Sequence, residues 1–371
     1  MPDAATNDSP SIFDGLTGQE HAAGILDNIL GSGAPSHAYL FHGTGGTGKV
    51  EAARRFAAAL VCGAGGCGGC DDCEKALRGV HPDIVMVEPV GAFITVDQVR
   101  EVNRSVNLHP GEGQARVYIM SPAEAFNSES ANAFLKTLEE PPPFAYFLLI
   151  ASGIDQVLPT IVSRCQLIRF QPVRPERIEE RLREQADLSP VMAQAFARVS
   201  RGNLALAEEL ASDPALAGRR QRYIEAAARL TRGDTGTTPA RLAAELLAEV
   251  EGSLEGAGVE QPPEGFFSAT RRQQEQDAHR RETAARRAEV ALALDMIGTW
   301  FRDLMVTASG AIEAVYNKDY ELELEGLALP SRTEDYRRAV AVVEATRAKL
   351  GYNIDLELAL QAMFYELLEV L

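Results

Sequence analysis

His37-Ala38-Tyr39-Leu40-Phe41, then His42-Gly43-Thr44-Gly45-Gly46-Thr47-Gly48-Lys49-Val50, then the Ala-rich run from Glu51 to Val61, is the stretch that decides the fold class. The first segment is a short apolar run suited to a buried strand. The second is a glycine turn, and the third has the composition of a helix. Strand, glycine loop and helix in that order form the setting of a phosphate-binding loop, and Gly43–Val50 nearly fits G-x-x-x-x-G-K-[ST]. The physics is direct: glycines let backbone N–H groups turn inward around phosphate oxygens, and the following helix points its positive end at them. Gly43, Gly45, Gly46, Thr47, Gly48 and Lys49 are the candidate binding residues. The plain alternative is a glycine-rich turn with a chance lysine.

One position breaks the pattern. The Ser or Thr that would ligate Mg²⁺ is Val50, whose side chain holds no metal. A hydrolysing site also needs a carboxylate pair after a second apolar strand, one for the metal and one to orient water. That strand reads as Val117–Met120 and is followed by Ser121, Pro122, Ala123 and Glu124. The first two positions carry no carboxylate, and Glu124 comes about one helical turn too late to replace them simply. Three losses together predict that this chain does not hydrolyse ATP. The loop and Lys49 leave ATP or ADP binding open, without Mg²⁺.

Working outward, Glu20–Leu30 reads as an amphipathic helix. Ile84–Val87 and Tyr146–Ile150 join Val117–Met120 as buried-strand candidates, with helices near Val96–Ser105 and Ser128–Leu138. Alternating strands and helices predict a parallel sheet covered on both faces. After Phe170-Gln171-Pro172 the strands stop. Several short helices are expected over Pro175–Leu210, and more from Ser212 onward. A Gly, Pro and Glu-rich loop is expected over Gly252–Phe266, one long helix over Arg271–Arg302, and two helices over Arg332–Leu371.

Four of the five cysteines, Cys62, Cys67, Cys70 and Cys73, fall within twelve residues of a glycine-rich segment. Four thiolates suit a tetrahedral Zn²⁺, and a filled ligand set makes the site structural. Reduced free thiols are the alternative. The formal net charge of −17 argues against binding a DNA backbone over the whole surface, since phosphate contact needs Lys and Arg. No run of apolar residues is long enough to span a membrane, and the polar start lacks the marks of a secretion signal, so a cytoplasmic protein is expected. Arg271, Arg272, Arg280, Arg281, Arg286 and Arg287 form a locally basic run, read chiefly as a solvated helix face interleaved with acids.

Further residues carry a family resemblance. They are Leu16-Thr17-Gly18-Gln19, His81-Pro82-Asp83, Ile94–Arg100, Asn132-Ala133-Phe134-Leu135-Lys136-Thr137-Leu138-Glu139-Glu140-Pro141-Pro142 and Leu158–Cys165, together with the glycine loop and the cysteine cluster. In these the chain resembles the clamp-loader subunits of bacterial DNA polymerase III, in the AAA+ superfamily. The likeness is dense over about residues 12–172 and weaker over Leu350–Leu360. Motor subunits of that family (gamma or tau) keep intact loops and carboxylates, and they carry a sensing arginine where this chain has Leu206. The departures at Val50, Ser121, Pro122 and Leu206 therefore point to the delta-prime type.

The resemblance implies an α/β AAA+ domain, a P-loop NTPase-type parallel sheet with helices, over residues 1–172 with a zinc-binding insertion at about 62–73. A small helical lid over 173–232 and an all-α collar over 233–371 follow. It implies that Arg164, in Ser163-Arg164-Cys165, is an arginine finger acting on a neighbouring motor subunit. Pairing with a local carboxylate is the alternative. The implied partners are the gamma/tau and delta subunits, the sliding clamp, and primer-template DNA through the complex. The implied task is loading the clamp during replication. An active but divergent motor subunit and a stand-alone zinc-dependent nucleic-acid-binding protein are the competing readings.

Overall fold

The computed structural model describes residues 11–89, 91, 93–185, 187–234, 236, 238–257, 271–352 and 354–371, with the backbone alone at 256, 257, 271–277 and 280. Contact density divides the chain into two compact units: residues 1–174, 203–205 and 266–270, and residues 175–202, 206–265 and 271–371.

The first unit is built on a five-stranded sheet of β1 (Ala38–His42), β2 (Ile84–Val87), β3 (Arg116–Met120), β4 (Ala145–Ala151) and β5 (Gln166–Arg169), in the order β2-β3-β4-β1-β5. Every pairing is parallel. The inner strands are apolar nearly throughout because both faces are covered. Alternation still assigns the faces: Tyr39 and Phe41 of β1 belong to one core, Ala38 and Leu40 to the other. On the Tyr39 side lie α1 (Glu20–Gly31) and α2 (Lys49–Val61), on the opposite side α4 (Val96–Ser105), α5 (Ser128–Glu139) and α6 (Pro159–Val162), while α3 (Asp71–Leu77) packs on α2. The start of α4 is written in the sequence: Thr95 Oγ1 accepts from Gln98 N at 3.2 Å and Gln98 Oε1 accepts from Thr95 N at 2.9 Å, a reciprocal cap.

Four strands and the first unit's main helices match expectation to within a residue or two. The edge strand β5 was not expected, because only Ile168 of its four residues is buried and no apolar alternation marks it. The cysteine segment is less of a loop than its glycines suggest. Cys62 terminates α2, Cys70 caps α3, and Cys73 lies in the first turn of α3.

The second unit is helical: α7 (Pro175–Gln185), α8 (Pro190–Val199), α9 (Leu204–Ser212), α10 (Pro214–Arg232), α11 (Pro239–Ala257), α12 (Arg271–Ala308), α13 (Glu321–Leu327), α14 (Thr333–Lys349) and α15 (Leu356–Val370). The loop expected from Gly252 begins later, since Leu254, Glu255 and Ala257 continue α11; residues 258–266 lie outside the described set. So do the side chains of Arg271, Arg272 and Arg280 in the basic run; Arg286 of that run pairs with Glu251 at 2.6 Å. Of the apolar positions at helical spacing in α12, Val290, Leu294, Ile297, Trp300, Phe301 and Leu304 are buried and Leu292 is half-buried. Arg220 of α10 is 2% exposed; it grips Asp319 at 2.7 and 2.8 Å and Asn317 Oδ1 at 2.7 Å. Asp303 of α12 accepts from the backbone of Tyr316 and Asn317. These pairings seat the irregular segment before α13 on α10 and α12 with its buried charges answered.

Two side chains dominate the first unit. Phe56 of α2 is fully buried, edge-on to Tyr39 at 5.0 Å and beside Phe13 and Phe41. Phe56→Ala should lower the unit's unfolding free energy by about 3–5 kcal/mol in chemical denaturation. Asp83, just ahead of β2, accepts from the backbone N–H groups of Gly111, Glu112 and Gly113 at 2.8, 2.9 and 2.9 Å. Burial works to raise its carboxyl, but these three donors outweigh burial and hold it below the usual range. Its stabilisation is present above the unfolded value of about 3.9 and is lost as pH falls through the lower folded value. Asp83→Ala should cost at least about 2 kcal/mol at pH 7, and denaturation at successive pH values should show the difference from wild type shrinking below about pH 4.

Candidate functional site

The phosphate loop follows β1 and leads into α2, as its motif requires. Gly43 has φ +144°, and a Cβ there would stand 2.1 Å from the Phe170 carbonyl oxygen, so only glycine fits. Gly45 and Gly46 continue the turn, and Gly48, with φ +86°, caps α2. Asn203 closes against Gly46, whose added Cβ would meet its Oδ1 at 1.5 Å. Thr47 is buried and its hydroxyl donates to the Thr44 carbonyl at 3.0 Å.

Lys49 does not project from this loop. It is 6% exposed, and its Nζ donates to the carbonyls of Gly43 and Thr44, each at 2.5 Å. Burial pushes the ammonium down to about 8, with Glu124 pulling the other way. The loop thus answers its own cation. Val50, the missing metal ligand, is partly exposed on the first turn of α2.

Glu124 is closer to this loop than its sequence position suggests, since its charge is felt at Lys49. Its Oε1 accepts from the backbone N–H of Ser152 and, at 3.4 Å, of Gly153, just beyond β4. That carboxylate is committed to the end of a strand. Its Oε2 is buried with no hydrogen-bond partner among the described residues. Sequence reasoning could not assign this role, because it depends on β3 and β4 being neighbours.

Arg164 lies elsewhere. Gln166 pairs with Tyr39 and Arg169 with His42, so β5 runs the same way as β1. The phosphate loop leaves the far end of β1, whereas Arg164 precedes the start of β5. The length of β5, about 3.3 Å per residue, separates them. Arg164 Nε donates to Glu139 Oε1 at 2.8 Å, and Nη2 contacts the same oxygen. Nη1 donates to the Thr160 carbonyl at 2.9 Å and to Ser163 Oγ at 3.2 Å. The local carboxylate weighed as an alternative therefore exists. Glu139 was visible only as part of the Leu138-Glu139-Glu140-Pro141-Pro142 run. Burial pushes the nearby Cys165 thiol up to about 12, fitting an inert packing residue.

The four clustered cysteines do come together. Their sulfurs all lie within 4.8 Å of one another, with Cys62 3.8 Å from Cys67 and 3.6 Å from Cys70. A tetrahedral ion with bonds of about 2.3 Å needs sulfur–sulfur edges of about 3.8 Å, so the cradle fits a metal such as zinc. Gly66, with φ +98°, is required, since a Cβ there would press to 2.8 Å on Ala59. Burial works to raise the Cys62 thiol, but the backbone N–H groups of Cys67, Gly66 and Ala64, with the Cys73 thiol, bring it down to about 6. Cys73 is pushed the other way, by burial and by the thiols of Cys62 and Cys70 against a Gly68 N–H. Four thiols this close do not all ionise unless a cation joins them.

Asp72, His81 and Glu112 form a second cluster beside the cysteines. His81 Nδ1 accepts from the Asp83 backbone N–H at 3.1 Å, which leaves the proton on Nε2 and no lone pair there for a metal. Glu112 is held by Lys75 at 2.6 Å. Asp72 Oδ1 stands 3.5 Å from His81 Nε2, and the Lys75–Glu112 pair ties α3 to the segment ahead of β3.

Residues 18–174 match the family model described as DNA polymerase III, delta subunit. A DNA polymerase III subunit delta' of Bacillus subtilis is 37% identical over 204 residues, covering 54% of this chain and 61% of that one. A subunit delta' of Pseudomonas aeruginosa is 39% identical over 147 residues, 38% of this chain and 45% of that one. A subunit gamma of Buchnera aphidicola is 34% identical over 174 residues, 46% of this chain and 48% of that one. The chain thus spans between 45% and 61% of the length of these relatives. No helix among the described residues is long and apolar enough to cross a membrane. Likeness and sheet order coincide over the same stretch, and there the chain is similar to subunits of DNA polymerase III.

Proposed function

We propose that this chain is a delta-prime-type subunit of a bacterial clamp loader, which assists ATP hydrolysis without performing it. The carrying observation is the position of Arg164 at the strand-start edge of the sheet, with its own phosphate loop at the strand-end edge. An arginine so placed cannot reach its own nucleotide but is presented to a neighbour's. There its planar, permanently charged fork would neutralise charge developing on γ-phosphoryl oxygens. The home loop supports the same reading: Val50, Ser121 and Pro122 supply no metal ligand or base, Lys49 is turned onto its own loop, and Glu124 is engaged beyond β4.

The neighbours on this reading are gamma/tau motor subunits and a delta subunit, with the sliding clamp and primer-template DNA met through the assembly. Residues 173–232 act as lid and 233–371 as collar. Along α15 the exposed Leu358, Ala362, Tyr365 and Leu368 offer an apolar stripe that suits subunit packing. The ion in the Cys62–Cys67–Cys70–Cys73 cradle is Zn²⁺, held structurally.

The isolated chain should show no steady Mg²⁺-dependent ATP turnover. In a reconstituted complex, Arg164→Ala should leave co-purification intact while slowing hydrolysis at the site it completes by about 10³-fold or more, read as lost DNA-stimulated turnover and clamp loading. Wild-type turnover with this variant would refute the trans role. Metal analysis of the purified chain should find a single zinc ion, released by chelator together with a fall in Tm, and Cys73→Ser should reduce zinc content in the same assay.

A further inference from the structure

Arg164 is not idle in the isolated chain. Glu139, the last residue of α5, takes its Nε and Nη2 donors, while Thr160 and Ser163 take Nη1. The pair sits at the surface, with the arginine side chain 31% exposed and the glutamate 49% exposed, so the contact is reachable by an incoming group. A carboxylate and a phosphate offer an arginine the same acceptors: oxygens that take parallel N–H bonds from one edge of the fork. That edge cannot serve both at once. Nη1 keeps separate partners that do not involve Glu139.

We propose that Glu139 is the rest position of Arg164. It holds the guanidinium while the subunit is unengaged and gives it up to the γ-phosphate of the neighbour's nucleotide when the interface closes. This rests on the trans role of Arg164 argued above and adds to it a competitor built into the same chain. Glu139 is then a positioning residue, which sets how much nucleotide-loaded neighbour is needed to draw the arginine across. An exposed ion pair is weak, so the bias is small: up to about five-fold in the occupancy needed. It declines as salt screens the pair.

The test uses the reconstituted complex with wild type, Glu139→Gln, Arg164→Ala and the double variant, each checked for folding by circular dichroism. Glu139→Gln keeps the shape and removes the charge. It should lower the ATP concentration giving half-maximal DNA-stimulated turnover by about two- to five-fold. The gain should shrink as ionic strength rises and be absent in the double variant. An unchanged or weakened response to Glu139→Gln, with Arg164→Ala still impaired, would overturn the rest position and leave the trans role standing. A gain that persists in the double variant would also overturn it, because it would come from lost charge alone. If Arg164→Ala matches wild type, the trans role fails and the rest position with it.

Discussion

The parallel pairing of β5 with β1 is the constraint on which the functional geometry rests. Two parallel neighbours start on one edge of a sheet and finish on the other, so whatever precedes β5 lies opposite whatever follows β1. The loop built to cradle phosphate occupies the finishing edge, where ligands of open α/β sheets are found. The arginine occupies the starting edge. No side-chain rotation bridges the two, because the separation is set by hydrogen-bonded backbone. On the proposed reading, division of labour between chains follows from strand direction before it follows from particular residues.

Charge follows the same division. At the finishing edge, Lys49 and Glu124 face demands from their own backbone: one is drawn by Gly43 and Thr44, the other by Ser152 and Gly153. Each is more engaged than a site awaiting substrate would need. At the starting edge, the Arg164 pair is half in water and exchangeable. Buried polar groups with good partners resist change, while exposed ion pairs give way. The contrast separates a tightly held pair from an exchangeable one, although both contain one basic side chain near one acid.

Much of this was legible in the sequence. Glycine spacing, the apolar runs before and after it, and Thr95 with Gln98 announced the loop, four strands and the start of α4, since each depends on neighbours a few residues away. The losses at Val50, Ser121 and Pro122 were equally local. What escaped depends on strand order. Gln166–Arg169 becomes a strand because β1 offers an edge, with Ile168 alone buried. Glu139 meets Arg164 across 25 residues, and Glu124 meets Ser152 across 28. The cysteines were read on a glycine-rich segment with no helix assigned there, yet two of them belong to the start of α3, because Asp71, Asp72 and Glu74 favour a helix N-terminus.

Helix α2 joins the two edges. It leaves the phosphate loop at Lys49 and delivers Cys62 to the metal cradle, a span of about 20 Å at helical rise. Its middle is packed by Phe56 and its far end is tied where Gln114 donates to the Val61 carbonyl. A rod pinned at both tips cannot slide along its axis or pivot about one of them. The glycine turn is therefore coupled to four sulfurs it never touches, and a shift at one tip has to be taken up as bending or as strain at the other.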